Sequence, residues 1–515
     1  MPPRATARIM YPLMGDEKMI TTETPPGESL TRQSARGFFW MLAQTVGSKI
    51  FSFAGQIVLA RLLAPRDFGL VALAYTVVAI TTVIRQTGIQ QILVQRHKHY
   101  RRWANPAFWF ELTVSLATAA MLVVAAPIAA GVFHSPPLIG LILVIAAAAP
   151  LNPWYVVPNA GLMIGMRFRA IAAVNIGYNL VAMVVSILLA WRGFGAYSFV
   201  IPLLVAGVVR AFWLWRLARP PIRLRPQMRR WKFLIGDSVY MLGTGFLSSV
   251  YVQAGCLVLG LLYAKSVVGQ FFFALNLSTQ VQQVLAQNLG SVLLPALAKL
   301  QDDRPRQVAA LLRASRMLAF VGVPLSLLLA VVAKPVILIV YGAKWLPAVP
   351  VLRILAVAMA LSVPSSLAYT ALQSQGRFRV VFLFTLAQAL PFFVALFAGA
   401  HLDGAVGVAA AWLLAQAVPS IFWVFLACGE HARARAIAAV YAGPLVASGA
   451  ALLPAVLINT LWPPISGHAP AQWAAAAASL ALIYPIISAG VCAGEFRQIR
   501  TYAHGAVTVL MSRLR

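Results

Sequence analysis

Acidic side chains are scarce in this chain: 12 Asp and Glu stand against 41 Lys and Arg in 515 residues. Apart from Glu111 and Asp237 the acids lie in loops or the N-terminal arm, so the sequence suggests no catalytic pair of carboxylates. Cysteine is scarcer still, at three. Cys256, Cys428 and Cys492 lie in apolar runs without CxxC spacing, which argues against a disulfide framework or a zinc site and leaves core thiols. His134, His401 and His468 are isolated from one another. No GxxxxGK[ST] phosphate loop occurs, so direct ATP drive is not expected and no cofactor is implied. Long polar connections are missing as well: none between apolar runs exceeds about 25 residues, which leaves no room for an extramembrane catalytic domain.

What the chain has in abundance is apolar sequence, at 61% hydrophobic residues and 10% charged. About fourteen long apolar runs cover nearly everything from Arg36 onward, at 37–62, 68–93, 104–132, 138–158, 170–191, 195–217, 234–262, 266–293, 316–341, 346–374, 378–399, 404–427, 436–461 and 472–494. A run of ~20 apolar residues crosses a bilayer as a helix, because inside lipid each backbone N–H and C=O must pair within its own segment. The expected fold class is therefore an all-α integral membrane protein of about 14 transmembrane helices.

Lys and Arg alternate between the two ends of these helices very unevenly. One set of connections, with the N-terminal arm and the C-terminal tail, holds 31; the other holds Arg61, Arg66, Arg192, Lys265, Lys334 and Lys344. By the positive-inside rule the basic side is cytoplasmic, so both termini are expected in the cytoplasm of a bacterial inner membrane protein. A formal charge of +29 spread over so many connections reads as topogenic and lipid-attracting, not as a nucleic-acid surface. Residues 1–35 read as a disordered cytoplasmic arm, with Met10, Met14 and Met19 as alternative starts. The first apolar run begins too late and runs too long for a cleavable signal.

An internal repeat appears at an offset of 200: VLARLLAPRDFGLVALA (58–74) aligns without gaps on VLGLLYAKSVVGQFFFA (258–274). The offset lays span 7 on span 1. An even number of helices per unit gives two parallel six-helix lobes, a transporter-like layout with the site between them. The expected organisation is an N-lobe at 36–217, a basic linker at 218–233, a C-lobe at 234–430, a helix pair at 431–494 and a cytoplasmic tail at 495–515.

The stretches IVLARLLAPRDFGLVALA (57–74), TGIQQILVQR (87–96), VLLPALAKLQDD (292–303) and YGAKWLPAVPVLRILAVA (341–358) resemble the Wzx-type polysaccharide flippases of the multidrug/oligosaccharidyl-lipid/polysaccharide exporter superfamily. The resemblance covers roughly residues 35–400. It implies a V-shaped pair of lobes that moves an undecaprenyl-diphosphate-linked oligosaccharide from the cytoplasmic to the periplasmic leaflet for exopolysaccharide, capsule or O-antigen synthesis. Membrane lipids and other polysaccharide-assembly proteins are the implied partners. Peptidoglycan-precursor flippases are the nearest alternative within the superfamily. Polymerases or ligases acting on the same carriers form a second alternative, although they usually need a large periplasmic loop that is missing here.

Such a substrate asks for guanidinium or ammonium groups at its phosphates and for amides, hydroxyls and aromatic faces at its glycan. Four bases lie inside spans: Lys49, Arg85, Arg210 and Arg353. Thr45, Lys49, Ser52 and Gln56 share one helical face, and a charge at that depth should face water or a partner. Lys49 is thus read as a phosphate or glycan contact, against a structural ion pair. Arg85 and Arg210 are read as phosphate receivers, against snorkelling to the cytoplasmic surface. Arg353 is expected near the periplasmic rim, where Pro347 and Pro350 delay its helix. Asn276, Gln280, Gln283, Gln287 and Ser291 form a polar ridge read as a glycan path, and Ser362, Ser366, Tyr369 and Gln373 form another that Pro364 would kink. Glu111 and Asp237 are candidates for ion coupling, against local pairing of Glu111 with Arg85 or Arg210 and of Asp237 with the basic run ending at Lys232.

Overall fold

The computed structural model describes residues 47–49, 51–85, 89–95, 99–223, 226, 228, 231, 239–298, 300, 303–461, 478, 483, 484 and 487. Every regular element among them is helical. In chain order these are α1 (47–62, residue 50 aside), α2 (Pro65–Arg85), α3 (Ile89–Gln95), α4 (Tyr100–Val132), α5 (Pro137–Ala148), α6 (Asn152–Ile164), α7 (Phe168–Trp191) and α8 (Tyr197–Ala218). The second half holds α9 (Val239–Leu262), α10 (Lys265–Ala298), α11 (Arg304–Val331), α12 (Ala333–Val336), α13 (Val349–Ser362), α14 (Ser366–Ser374), α15 (Phe378–Cys428) and α16 (Ala434–Leu461). Among the described residues nine segments are long and apolar enough to cross a membrane. The protein is a multi-pass membrane protein; the expected span 472–494 lies almost wholly outside the described residues.

Several boundaries depart from the hydropathy reading. The expected helix 68–93 is described as α2 and α3, and residues 86–88 between them lie outside the described residues. The expected 316–341 helix begins at Arg304 and ends at Val331. Its start is set by Asp303, whose carboxylate accepts from the Arg306 N–H at 3.2 Å, with Pro305 in the first turn, where a missing N–H costs nothing. Hydropathy misses this extension because its outer face is polar while Gln307, Val308, Leu311 and Leu312 are buried. α15 is 51 residues long but breaks at Asp403 and Gly404, where φ is −149° and +53°, so it makes two passes, as the expected spans 378–399 and 404–427 require.

The two stretches aligned at the offset of 200 meet in packing. α2 and α10 cross at Gly69 and Gly269, and the contact is reciprocal: a Cβ on Gly69 would meet the Lys265 carbonyl oxygen at 1.8 Å, and one on Gly269 would meet that of Pro65 at 1.8 Å. Each residue pairs with the repeat equivalent of the other's partner, the signature of a twofold relation. A second repeat, which sequence reading passed over, is the tripeptide Arg-Phe-Arg at 167–169 and 377–379. Both copies start a helix after a residue of positive φ, Met166 at 53° and Gly376 at 68°. Arg167 donates to the Leu217 carbonyl at 3.0 Å, and Arg377 to that of Leu426 at 2.9 Å. In each half the same arginine ties the start of one helix to the end of the next.

Between these two repeats the second half contains an insertion. Short 3₁₀ breaks at Ala149–Leu151 and Val363–Ser365, each centred on a proline, correspond to one another. Ahead of the second break lies the irregular segment Ile337–Ala348, where the first half has only the turn from Phe133 to Pro136.

Candidate functional site

The inserted segment grips the first half at the end opposite the basic connections. Arg61 donates to the carbonyls of Val340, at 2.7 Å, and of Ile339. Lys344 returns two bonds, to the carbonyls of Arg61 at 2.8 Å and Leu63 at 2.6 Å. Trp345, fully buried, donates from Nε1 to the Ala60 carbonyl at 2.8 Å. Its ring stacks on Phe273 at 4.2 Å and meets Phe68 edge-on at 4.8 Å. Lys265 adds a bond to the His134 carbonyl at 3.3 Å. Cationic donors thus saturate carbonyls left at the helix ends, where membrane helices otherwise leave them unmatched.

Beyond this closure lies a cavity of about 860 Å³. Its walls carry the amides of Gln253, Asn276, Gln282, Gln283, Gln373 and Gln416, the hydroxyls of Thr279, Ser366 and Thr370, and the rings of Tyr75, Tyr251, Phe272, Tyr369 and Trp412. Among the described residues that line it, none is ionisable to a full charge at neutral pH. Tyr251 is held by a stacked Phe392 at 4.0 Å and by Trp412 at 5.7 Å. Tyr75 of α2 is the first half's contribution to a lining otherwise drawn from the second half.

Of the residues singled out in the sequence, Gln283, Tyr369 and Gln373 line this cavity. Lys49 reaches its edge, donating from Nζ to Gln283 Oε1 at 3.1 Å. Gln56 lies half-buried two turns along α1 on the Lys49 face. Gln280 does not line the cavity, which corrects the ridge read from spacing. At 100° per residue, Gln280 turns one way from the Asn276 axis, whereas Thr279 and Gln282 turn the other way, and the cavity lies on their side. Gln253 and Gln416 went unnoticed because each stands alone among apolar residues, and Gln282 because it lies off the stripe that Asn276, Gln280, Gln283 and Gln287 mark.

Arg210 is elsewhere. Its guanidinium sits 3.5 Å from the Tyr155 ring centroid and 5.0 Å from that of Tyr178, inside the first half. Neither snorkelling nor pairing with Glu111 describes it. Glu111 is buried at 2% exposure and accepts from Asn152 Nδ2 at 3.3 Å. Arg353, exposed at the start of α13, opens into a separate apolar groove with Val331, Leu413 and Val456. Arg85 is the last described residue of α2. The side chains of Arg85 and Gln287, and the whole of Asp237, lie outside the described residues.

The profile of the family described as "Polysaccharide biosynthesis protein" matches residues 58–350. The chain is similar to the succinoglycan biosynthesis transport protein ExoT of Rhizobium meliloti, 27% identical over 392 residues, which are 76% of this chain and 78% of the relative. It is also similar to the lipopolysaccharide biosynthesis protein WzxC of Escherichia coli, 23% identical over 419 residues, covering 77% and 81%. In fold it resembles the lipid II flippase MurJ in an inward closed conformation, with a TM-score of 0.68 at 14% identity, covering 88% of this chain and 98% of that one. An inward-facing multidrug resistance MATE transporter of the MOP superfamily gives a TM-score of 0.58 at 15% identity, covering 76% and 95%. The chain belongs to the polysaccharide biosynthesis protein family, and its resemblance to the Wzx-type flippases of the MOP superfamily stands.

Proposed function

We propose that the protein flips undecaprenyl-diphosphate-linked oligosaccharide repeat units from the cytoplasmic to the periplasmic leaflet of the inner membrane, with both termini cytoplasmic. The observation that carries this reading is the cavity of about 860 Å³ walled by amides, hydroxyls and aromatic faces, with Lys49 at its edge. Sugars are recognised by that mixture: amides bond hydroxyls directionally and rings cover the apolar faces of the pyranose. A drug or cation antiporter would need carboxylates there. The family membership supports an exported polysaccharide, and the reciprocal Gly69–Gly269 crossing supports two parallel six-helix lobes followed by a helix pair, about 14 helices in all.

In this reading Gln283, Tyr369 and Gln373 contact glycan, with Gln56, Gln280 and Gln287 on flanking faces, while Lys49, Arg85, Arg210 and Arg353 meet phosphate at successive stages of passage. Glu111 and Asp237 are the candidates for coupling to an ion gradient. The test is a strain lacking the gene, in which the leaflet of the accumulated lipid-linked oligosaccharide is read by access of an added glycosidase in spheroplasts. Repeat units protected on the cytoplasmic face are expected. Accumulation on the accessible periplasmic face would move the protein downstream of translocation, to polymerisation or ligation.

A further inference from the structure

A second cavity, of about 740 Å³, lies between α7 and α8, apart from the glycan-like one. Arg167 and Arg169 stand at its exposed end, and Arg210 lines it eight residues before the end of α8, ~12 Å deeper at 1.5 Å per residue. Between them the walls are alanine, valine and leucine side chains and Trp213, and among the described residues that line it none is acidic. Tyr155 and Tyr178 fix the plane of the Arg210 guanidinium by their faces. Its Nε is buried and has no hydrogen-bond partner among the described residues. A half-buried guanidinium held between two rings and lining the cavity presents its terminal N–H groups as half of an anion site.

The repeat separates what the fold requires from what this pocket adds. Arg167 and Arg377 do the same structural work on the Leu217 and Leu426 carbonyls. Carried through that correspondence, the position of Arg210 falls at Pro419–Ser420 in the second half, where the Ser420 carbonyl is taken by the Tyr441 hydroxyl at 2.9 Å. The equivalent hairpin thus folds with no cation at that point.

We propose that the α7–α8 pocket binds the anionic phosphate headgroup of a membrane lipid, held between Arg169 and Arg210 with its tail against the apolar wall. Arg167, with one N–H committed to Leu217, completes the cationic mouth. The same chemistry is offered by the diphosphate of a polyprenyl carrier and by an anionic phospholipid of the leaflet. The site is independent of the transport reading, since such a lipid binds there whether it is cargo or resident.

Native mass spectrometry of the purified full-length protein in detergent tests it, with added phosphatidylglycerol, undecaprenyl diphosphate and, as the phosphate-free control, diacylglycerol. Retention of one or both phosphate lipids over diacylglycerol is expected. Arg210→Gln and Arg169→Gln should each weaken retention ~tenfold, the equivalent of one charge-assisted hydrogen bond. Arg313→Gln, on the exposed face of α11, should not. Preference for undecaprenyl diphosphate assigns the pocket to the carrier, and equal or better retention of phosphatidylglycerol assigns it to leaflet lipid. Diacylglycerol retained as well as either, or wild-type retention in Arg169→Gln/Arg210→Gln, would overturn the site. Arg169 is exposed, so Arg169→Gln keeps the test open should Arg210→Gln fail to fold. The leaflet assay reads transport separately: lipid binding without translocation removes the flippase and leaves the pocket.

Discussion

Lys49 of α1 donates to Gln283 of α10 at 3.1 Å, a side-chain bond between the two halves of the chain at the edge of the central cavity. A cation at that depth is costly unless it faces water or a partner, and here an amide that also lines the cavity supplies one acceptor. The ammonium has two further N–H groups to offer an anion or a sugar hydroxyl. Lys49→Ala is expected to impair export strongly while leaving the protein inserted, and Lys49→Arg to retain part of it. Export by a complemented deletion strain, set against protein level in the membrane fraction, measures both. Lys265 makes an unsuitable neutral control, because its ammonium bonds the His134 carbonyl. Exposed Arg192 at the end of α7 serves instead, and normal export by Lys49→Ala would remove that residue from the substrate path.

Gly69→Ala and Gly269→Ala are each expected to destabilise the protein, because either Cβ would collide with backbone carbonyl oxygen across the α2–α10 crossing. Backbone cannot step aside as a flexible side chain can, and overpacking of this kind costs about 1–3 kcal/mol or more. The two changes strain one crossing, so once the first alanine has spread the helices the second should add much less than its separate cost. Thermal melting of the purified single and double variants measures the coupling; strict additivity would mean that the two contacts are independent.

Trp345→Phe is expected to loosen the closure between the halves. The change keeps an aromatic ring beside Phe68 and Phe273 but leaves the buried Ala60 carbonyl without its donor. An unmatched buried acceptor costs about 1–3 kcal/mol, enough to raise the population with the halves apart about tenfold. Spin-label distances between positions 66 and 401, both exposed at that end, would broaden or lengthen in the variant. An unchanged distribution would show that the apolar contacts alone keep the halves together.

Much of the fold was legible because lipid enforces it: a helix that must satisfy its own backbone writes its length into hydropathy, and α4, α7 and α8 fall within a few residues of their expected spans. Hydropathy is silent where a helix leaves the bilayer, so the first turns of α11 were read as a loop. The Arg-Phe-Arg repeat was present as an identical tripeptide, but the insertion carrying Lys344 and Trp345 shifts it away from the offset of 200. The cavity was legible only in part. Periodicity locates a polar stripe on one helix, yet which flank of the stripe faces inward depends on how that helix is rotated against its neighbours.

That rotation sets the last prediction. Gln282 and Gln373 line the cavity, whereas Gln280, on the same helix as Gln282 and partly buried, does not. Each amide facing the glycan is worth about one net hydrogen bond, ~1 kcal/mol, so Gln282→Ala and Gln373→Ala should each lower export about fivefold. Gln280→Ala should lower it much less, because what it loses is contact within the protein. Tyr251→Ala should cost more than either amide, since it removes a sugar-facing ring and opens a void against Phe392 and Trp412. Export rates of these four variants at matched protein level give the order. If Gln280→Ala ranks with Gln282→Ala, the glycan follows the ridge of α10 that spacing suggests, and the cavity drawn by Thr279 and Gln282 is not its path.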